Sequence, residues 1–208
     1  MRKRIEKHQY KAKTKEILYS FIEEKAWCKL LLDKGKDYDS FLRMIVERND
    51  NYFENVKTIK DISLIVGFPA NIVTKWIREI YDDLLDLNMD NPSLFKSSGI
   101  QHDLIFNSFG GKAYFTVWLP QSPKVGDRFM FHFIKAAVGT PMFWVTEVGH
   151  YVNGDEYTVS IWLDGREINS YREWLVDRAL FTGVLHFRDV YEMDYHEIDK
   201  VLLDWYKK

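Results

Sequence analysis

Residues 59–78 read IKDISLIVGFPANIVTKWIR and contain the most specific spacing in this 208-residue chain. Gly67 lies at the centre of the stretch, where a residue without a Cβ atom accepts the positive φ that a sharp turn between two helices requires. Ser63, four residues earlier, is small enough for a second helix to cross close to the first. The apolar positions that would pin both helices to one core are Ile62, Val66, Phe68, Val73 and Trp76. The pattern predicts two short helices, the second running from about Pro69 to Leu87.

Helical periodicity extends through the rest of the first half. Apolar residues at three- and four-residue intervals predict one long helix or two before Gly35, and a further helix over residues 39–54. Thr58 is predicted to cap the first helix of the pair, because Asp61 three residues later approximates a capping box. The first half is therefore expected to be all-α.

The spacing of residues 59–78 resembles the helix-turn-helix of bacterial DNA-binding proteins, in which the second helix lies in the major groove. The resemblance covers about 20 residues and indicates no whole-chain family. It implies that six residues face DNA: Pro69, Ala70, Asn71, Thr74, Lys75 and Arg78. Asn71 suits an adenine edge, and Lys75 or Arg78 suits a guanine or a phosphate. Ala70 suits a thymine methyl group.

One feature departs from this resemblance. Leu64 and Ile65 are apolar where exposed examples are usually polar, so both are expected to pack under neighbouring helices. The alternative to DNA binding is a helical hairpin that only packs, or a helix-turn-helix retained for protein contacts.

The charge of the chain limits how it could bind nucleic acid. The formal net charge is −2 at pH 7, so affinity for phosphate has to come from a local patch. The first 15 residues contain a single acidic residue, Glu6, and the following basic residues: Arg2, Lys3, Arg4, Lys7, Lys11, Lys13 and Lys15. Such an arm, Arg2, Lys3 and Arg4 above all, is predicted to neutralise phosphates and to make binding sensitive to salt. A solvated helix end is the alternative.

Composition places the chain among globular proteins of a reducing compartment. Hydrophobic residues make up 46% of the sequence and charged residues 29%. Cys28 is the only cysteine, which excludes an intrachain disulfide framework and a thiol-rich metal site. The apolar stretch near the N-terminus is interrupted by Glu23, Glu24 and Lys25, so neither a signal peptide nor a membrane span is expected. The expected location is the cytoplasm.

The periodicity changes from helical to alternating near residue 102. Residues 88–99 contain Asn-Pro and Ser-Ser-Gly and are predicted to be a linker, which divides the chain into a helical domain, 1–90, and an α+β domain, 100–208. Alternation predicts five strands, over residues 104–109, 112–119, 127–138, 142–152 and 157–163. Their simplest pairing is an antiparallel meander. Two helices are predicted after the sheet, Ser170–Phe181 and Tyr195–Tyr206, so the fold class is α+β.

Large aromatic side chains on the predicted strands indicate an interface or a ligand pocket. The candidates are Tyr114, Trp118, Trp144 and Trp162. Exposed aromatic patches and concave aromatic sites usually bind something. The alternative is that the two C-terminal helices cover one face of the sheet.

Catalytic signatures are weak. The six histidines are scattered without the spacing of metal ligands, and no nucleophile has an indicated base. No enzyme activity, metal or cofactor is therefore predicted. The leading hypothesis is a sequence-specific transcriptional regulator that binds double-stranded DNA and uses residues 100–208 to form a homodimer or to sense a small ligand that the sequence does not identify. The alternatives are a protein-interaction or small-ligand-binding module with a structural helix-turn-helix, and an accessory protein of a mobile element.

Overall fold

Helices form the first part of the chain, and a sheet and further helices follow. The computed structural model describes residues 10–47, 58–108, 111–154, 156–166, 169–193 and 195–207. The helices are α1 (Thr14–Phe21), α2 (Lys25–Cys28), α3 (Asp39–Glu47), α4 (Ile59–Val66), α5 (Ala70–Asp90), α6 (Lys135–Val138), α7 (Ser170–Phe181), α8 (Phe187–Glu192) and α9 (Tyr195–Tyr206). The strands are β1 (Ile100–Ser108), β2 (Gly111–Leu119), β3 (Arg128–Met130), β4 (Met142–Asn153) and β5 (Glu156–Asp164).

Local hydrogen bonds set the starts of α4 and α1. Thr58 Oγ1 accepts the Asp61 N–H at 3.2 Å, and the Asp61 carboxylate accepts the Thr58 N–H at 2.8 Å, so the predicted capping box is confirmed. At α1, Glu16 accepts the backbone N–H of Lys13 at 2.9 Å, and this bond is the main cause that lowers the pKa of Glu16. Both carboxylates lie in a first turn, where the helix dipole favours negative charge.

The five strands form one mixed, curled sheet in the order β2-β1-β5-β4-β3. Neighbouring strands are antiparallel except β1 and β5, which pair in parallel from His102↔Val159 to Asn107↔Asp164. The α+β class is therefore confirmed, and the predicted antiparallel meander is wrong. Alternation within each strand indicates the hairpins β1–β2 and β4–β5, but it does not specify which edges of two hairpins meet.

The strand predicted over residues 127–138 is wrong for most of its length. β3 ends at Met130, and the chain then turns into α6, which ends at Val138 and is capped by Gly139 with φ 87°. Residues 129–134 are apolar at every position except His132. A continuous apolar run does not distinguish a buried strand from a buried turn or helix.

One hydrophobic core lies between the N-terminal helices and the inner face of the sheet. Buried members from both include Phe21, Phe41, Ile77, Leu84, Leu104, Phe106, Phe115, Phe143 and Ile161. The predicted linker contributes as well, because Phe95 of the 3-10 helix Pro92–Phe95 is buried in this core. The chain divides into two compact units at 167–168, Met1–Glu167 and Ile168–Lys208, whereas the sequence places a boundary within residues 88–99.

The free edge of β2 is covered by α5. Asn88, in the last turn of α5 and 1% exposed, donates to the Thr116 carbonyl at 2.9 Å and accepts the Thr116 N–H at 2.7 Å. Nearby, the Ser97 hydroxyl donates to the Trp118 carbonyl at 3.3 Å. An edge strand presents such groups to any other chain that offers a strand. The Asn88 amide takes the place of a neighbouring strand at this point.

The second unit contains α7, α8 and α9 and has a small core of its own. The predicted helices Ser170–Phe181 and Tyr195–Tyr206 are confirmed, and α8 was not predicted. The buried members of this second core are Val176, Ala179, Leu185, Ile198 and Leu202. Arg172 of α7 joins α9 by donating from Nε to Asp199 at 2.6 Å, and its guanidinium lies 3.4 Å from the centroid of the Tyr195 ring.

Candidate nucleic-acid interface

The turn between α4 and α5 has the local geometry that the sequence predicts. Gly67 adopts φ 76°, and its N–H donates to the Ser63 carbonyl at 2.9 Å. The Ser63 hydroxyl donates to the Phe68 carbonyl and ties α4 to the start of α5. Trp76 of α5 packs against Phe68 and against Phe41 of α3, with ring centroids 4.9 and 6.0 Å apart. Four of the five apolar residues predicted to pin the pair are buried, and Phe68 is half-buried.

The six predicted DNA-contacting residues lie at the start of α5. Four of them are exposed, namely Pro69, Asn71, Lys75 and Arg78, whereas Ala70 and Thr74 are half-buried. Asn71, Lys75 and Arg78 follow one another at intervals of four and three, so they line one side of the helix. The exposed stripe continues through Asp82 and Asp86. Its charge therefore changes from basic to acidic along the helix.

Arg78 connects α5 to the beginning of the described chain. Its Nη2 donates to the Ala12 carbonyl at 3.3 Å and to Thr14 Oγ1 at 3.5 Å. Lys11 and Lys13, both exposed, are the chain neighbours of Ala12, so their backbone lies close to Arg78. The remaining nitrogens of the guanidinium make no hydrogen bond with the described residues. Sequence reasoning did not find this association, because a residue separation of 66 leaves no local signal.

The basic N-terminal arm is described only from Tyr10 onward. Arg2, Lys3 and Arg4 lie outside the described residues, so their contact with phosphate stays a prediction. Lys11 and Lys13 are the part of the arm that the structure places. They give the stripe two further exposed cations near Arg78.

Acidic groups offset part of this charge. Lys75 Nζ lies 3.3 Å from Glu79 Oε1 in an exposed pair one turn apart. The pKa of Asp82 is raised, mainly by burial and further by Asp86, while Arg78 acts in the opposite direction. Exposed ion pairs contribute little free energy. Lys75 can therefore exchange Glu79 for another anion at small cost.

Leu64 does not pack as predicted. Its side chain is 83% exposed, whereas Ile65 is half-buried against the core. α4 directs Ile62 and Val66 into the core, and Leu64 lies two positions from each of them, on the opposite side of the helix. The expectation that neighbouring helices cover Leu64 is wrong, and α4 presents a single large apolar side chain to solvent.

Strand alternation places the four aromatic candidates of the second half on the face of the sheet opposite to the core, although Trp118 also packs against the core cluster. They are Tyr114, Trp118, Trp144 and Trp162. Tyr114 is 63% exposed, and the three tryptophans are half-buried. Ile105 lies between Tyr114 and Trp162 in the strand register. Arg128 is opposite Trp144, with its guanidinium 5.0 Å from the indole ring centroid.

The buried His102 and the half-buried Ser122 form a hydrogen-bonded pair that resembles a catalytic dyad. The ring of His102 is fully buried, with Nδ1 2.7 Å from the Ile100 carbonyl and Nε2 2.7 Å from Ser122 Oγ. A carbonyl only accepts, so Nδ1 carries the proton and Nε2 accepts from the Ser122 hydroxyl. The Ser122 hydroxyl therefore donates to the buried ring of His102.

This pair predicts a loss of stability at mildly acidic pH. Burial lowers the pKa of His102 below its ordinary value of 6.5, with His150 acting in the same direction and the Ile100 carbonyl and Asp103 opposing. The unfolded chain then binds more protons below about pH 6.5 than the folded chain does. The contribution of neutral His102 is complete above that pH and declines as the pH falls through it. We expect urea midpoints to decrease from pH 7.5 to about 5.5.

Two variants separate this effect from other titrations. His102→Gln should show a smaller decrease with pH than the parent chain, whereas His132→Gln, at an exposed position of the same unit, controls for the loss of an imidazole. A titration of the His102 ring followed by NMR gives the pKa directly. A titration midpoint of the His102 ring at or above pH 6.5 would contradict the lowered pKa.

Neither a metal-ligand cluster nor a reactive thiol is found in the described part of the chain. No group of three or more metal-ligating side chains is found among the described residues. Burial raises the pKa of the Cys28 thiol to about 12, so its thiolate is negligible near neutral pH. In the same described residues, no helix has both the length and the apolar character needed to cross a bilayer.

The chain matches no protein-family model, no curated protein and no solved structure. The likeness of residues 59–78 to a helix-turn-helix therefore rests on their own spacing. The exposed start of α5 and the lysines beside Arg78 are the surfaces from which a nucleic-acid function can be derived.

Proposed function

We propose that the chain binds double-stranded DNA through the start of α5. The observation that carries the proposal is the bond from Arg78 to the Ala12 carbonyl, because it gathers cations that the sequence keeps apart. Lys11, Lys13 and Lys75 then lie around one exposed helix face. A net-acidic chain needs a local concentration of this kind to attract phosphate.

The exposed side chains have the chemistry of a groove-reading helix. Asn71 can accept from and donate to an adenine edge in the major groove. Lys75 and the free nitrogens of Arg78 can donate to guanine or to phosphate oxygens. Ala70, half-buried, offers less surface to a thymine methyl group than the resemblance alone implies.

The charge gradient along α5 gives the proposed complex an orientation. Asp82 and Asp86 continue the same exposed stripe, and carboxylates there are repelled by the DNA backbone. The turns of α5 up to Arg78 would therefore enter the groove, and its later turns would point away from the duplex. Lys11 and Lys13 would lie beside the entering turns, where phosphates border the groove.

A regulator is the class of protein that this arrangement fits best. A single helix-turn-helix makes few contacts, and such proteins commonly bind as dimers to half-sites about 34 Å apart. We include a homodimer in the proposal for that reason. The sheet and the C-terminal helices would supply dimerisation or ligand sensing. The alternative is that α4 and α5 contact a protein; the exposed Leu64 does not favour it, because single exposed apolar side chains are common on protein surfaces.

We expect the triple variant Lys11→Ala, Lys13→Ala, Lys75→Ala to lose affinity for a random-sequence duplex. The slope of log affinity against log salt should decrease by about one unit for each lysine that contacts a phosphate. The melting temperature should remain close to that of the parent, because all three side chains are exposed. Fluorescence anisotropy across a salt series measures both the affinity and the slope.

The matched control removes the same charge elsewhere. Lys112, Lys124 and Lys200 are also exposed, and their triple alanine variant has the same net charge as the first. It should retain parental affinity and slope. If both triple variants lose DNA affinity equally, the effect comes from total charge and not from a binding site at α5. If neither variant loses affinity, DNA binding at α5 is refuted. Selection of bound sequences from a random library would then reveal whether half-sites are symmetric.

A further inference from the structure

A cavity of about 410 Å³ opens between the end of α5 and the outer face of the sheet. Its wall is formed by Met89 and Pro92, which end α5 and begin the following turn. Its floor belongs to three adjacent strands. A volume of this size is typical of small-molecule sites.

The strand register explains why a depression exists at this place. Thr116, Asp103 and Ser160 are paired across β2, β1 and β5, so three short side chains stand in one row. The next row on the same face begins with Tyr114, whose ring is 63% exposed. Short residues beside a large ring leave a space with a polar floor and one aromatic wall.

The floor has hydrogen-bonding capacity that the protein leaves unused. The Thr116 hydroxyl donates to Asp103 Oδ1 at 2.9 Å, which orients the carboxylate and leaves Oδ2 open. The side chains of Ser160 and Gln101, which also line the cavity, make no hydrogen bond with the described residues. These groups offer one carboxylate oxygen, one hydroxyl and one amide that can both donate and accept.

The charge of the lining restricts what can enter. The lining contains Asp103 and no lysine, arginine or histidine, so a phosphate or a carboxylate ligand would be repelled. A quaternary amine is normally held by several aromatic faces, whereas the aromatic residues of this lining are Tyr114 and Phe115, of which Phe115 is buried in the core. A neutral molecule with several hydroxyl groups and one apolar face matches both the polar floor and the ring.

The cavity is also held in shape before anything binds. Asn88 exchanges two hydrogen bonds with the backbone of Thr116, so the end of α5 is fixed to the strand that forms the floor. A site whose walls are already joined loses little entropy on binding.

We propose that this cavity binds a saccharide unit. The sugar stacks an apolar face on Tyr114, and neighbouring hydroxyl groups donate to Asp103 Oδ2 and exchange hydrogen bonds with Gln101 and Ser160. The proposal stands apart from DNA binding, because it concerns other residues and is tested without nucleic acid.

Saturation-transfer NMR on the full chain tests the proposal with a panel of methyl glycosides of glucose, galactose, mannose and N-acetylglucosamine, with spermidine and inorganic phosphate alongside. At least one glycoside should bind at millimolar concentration, and phosphate should not. Asp103→Asn and Tyr114→Ala should each raise its Kd about tenfold, as expected for the loss of a hydrogen bond to a charged group or of a stacking ring.

Tyr151→Ala is the matched control, because Tyr151 is an exposed tyrosine of the same sheet that does not line the cavity. It should leave the Kd unchanged. If Asp103→Asn folds poorly, Tyr114→Ala still tests the proposal, because the Tyr114 side chain is largely exposed and its removal should not affect folding. Binding of no glycoside in the panel, binding of spermidine alone, or glycoside binding that is unaffected at Tyr114 would each overturn the proposal.

Discussion

Truncation of Phe133 to alanine is expected to lower the free energy of unfolding of the Met1–Glu167 unit by about 4 kcal/mol, within the range of buried phenylalanine truncations. Phe133 is 1% exposed and lies among four rings. Its ring centroid is 5.3 Å from that of Trp27 and 5.1 Å from that of Tyr81, both on helices. It is 4.9 Å from that of Phe115 on β2 and 6.1 Å from that of Phe131. The cavity left behind would remove contacts from helices and sheet together.

The same variant tests whether helices and sheet share their stability. Native-state hydrogen exchange should show α5 and β1 losing protection by similar amounts, because both border one core. Phe181→Ala is the control, since Phe181 is 92% exposed and its truncation should change stability little. Loss of protection confined to the sheet would indicate two independent folding units, as the sequence boundary at residues 88–99 implies.

Asn88→Ala is expected to cost about 2 kcal/mol, because it removes two hydrogen bonds from the half-buried backbone of Thr116. The N–H and the carbonyl of Thr116 are both satisfied by the one amide, at 2.7 and 2.9 Å. Chemical denaturation with a constant m-value would measure the loss. Asn91→Ala, at an exposed position just beyond the same helix, should stay within about 0.5 kcal/mol of the parent.

The Asn88 variant has a second expected consequence. Removing the amide exposes part of the β2 edge, so the variant should self-associate more readily than the parent at equal concentration. Light scattering during mild heating would detect this. A variant that is destabilised without any increase in association would show that other residues, such as Ser97, already protect the edge.

Features predicted correctly from the sequence depend on residues near each other in the chain. The capping box at Thr58, the turn at Gly67 and the bounds of α7 and α9 follow from spacing within a few residues. The parallel pairing of β1 with β5 does not, because it joins strands more than fifty residues apart and depends on which hairpin edges meet. Residues 129–134 were misread because a run of apolar side chains carries no period.

At the candidate interface, too, the sequence predicts local features but not tertiary contacts. The helix-turn-helix resemblance selects Asn71, Lys75 and Arg78, and all three are exposed on one side of α5. The bond between Arg78 and Ala12 is a tertiary contact that no local pattern encodes. Leu64 was misjudged because its apolar character suggested burial, while its position on α4 directs it away from the core. The predicted core positions Ile62 and Val66 already indicate this, because a residue two positions from each lies on the opposite side of the helix.

α5 has 21 residues and is therefore roughly 30 Å long. Its first turns carry the proposed DNA-contacting side chains, and its last turn holds Asn88 and borders the cavity through Met89. An unbroken helix does not shorten or bend easily, so a tilt at one end displaces the other. If occupancy of the cavity alters affinity for the duplex, linkage requires the duplex to alter affinity at the cavity by the same factor. Titrating either ligand in the presence of the other would give one coupling free energy from two independent measurements.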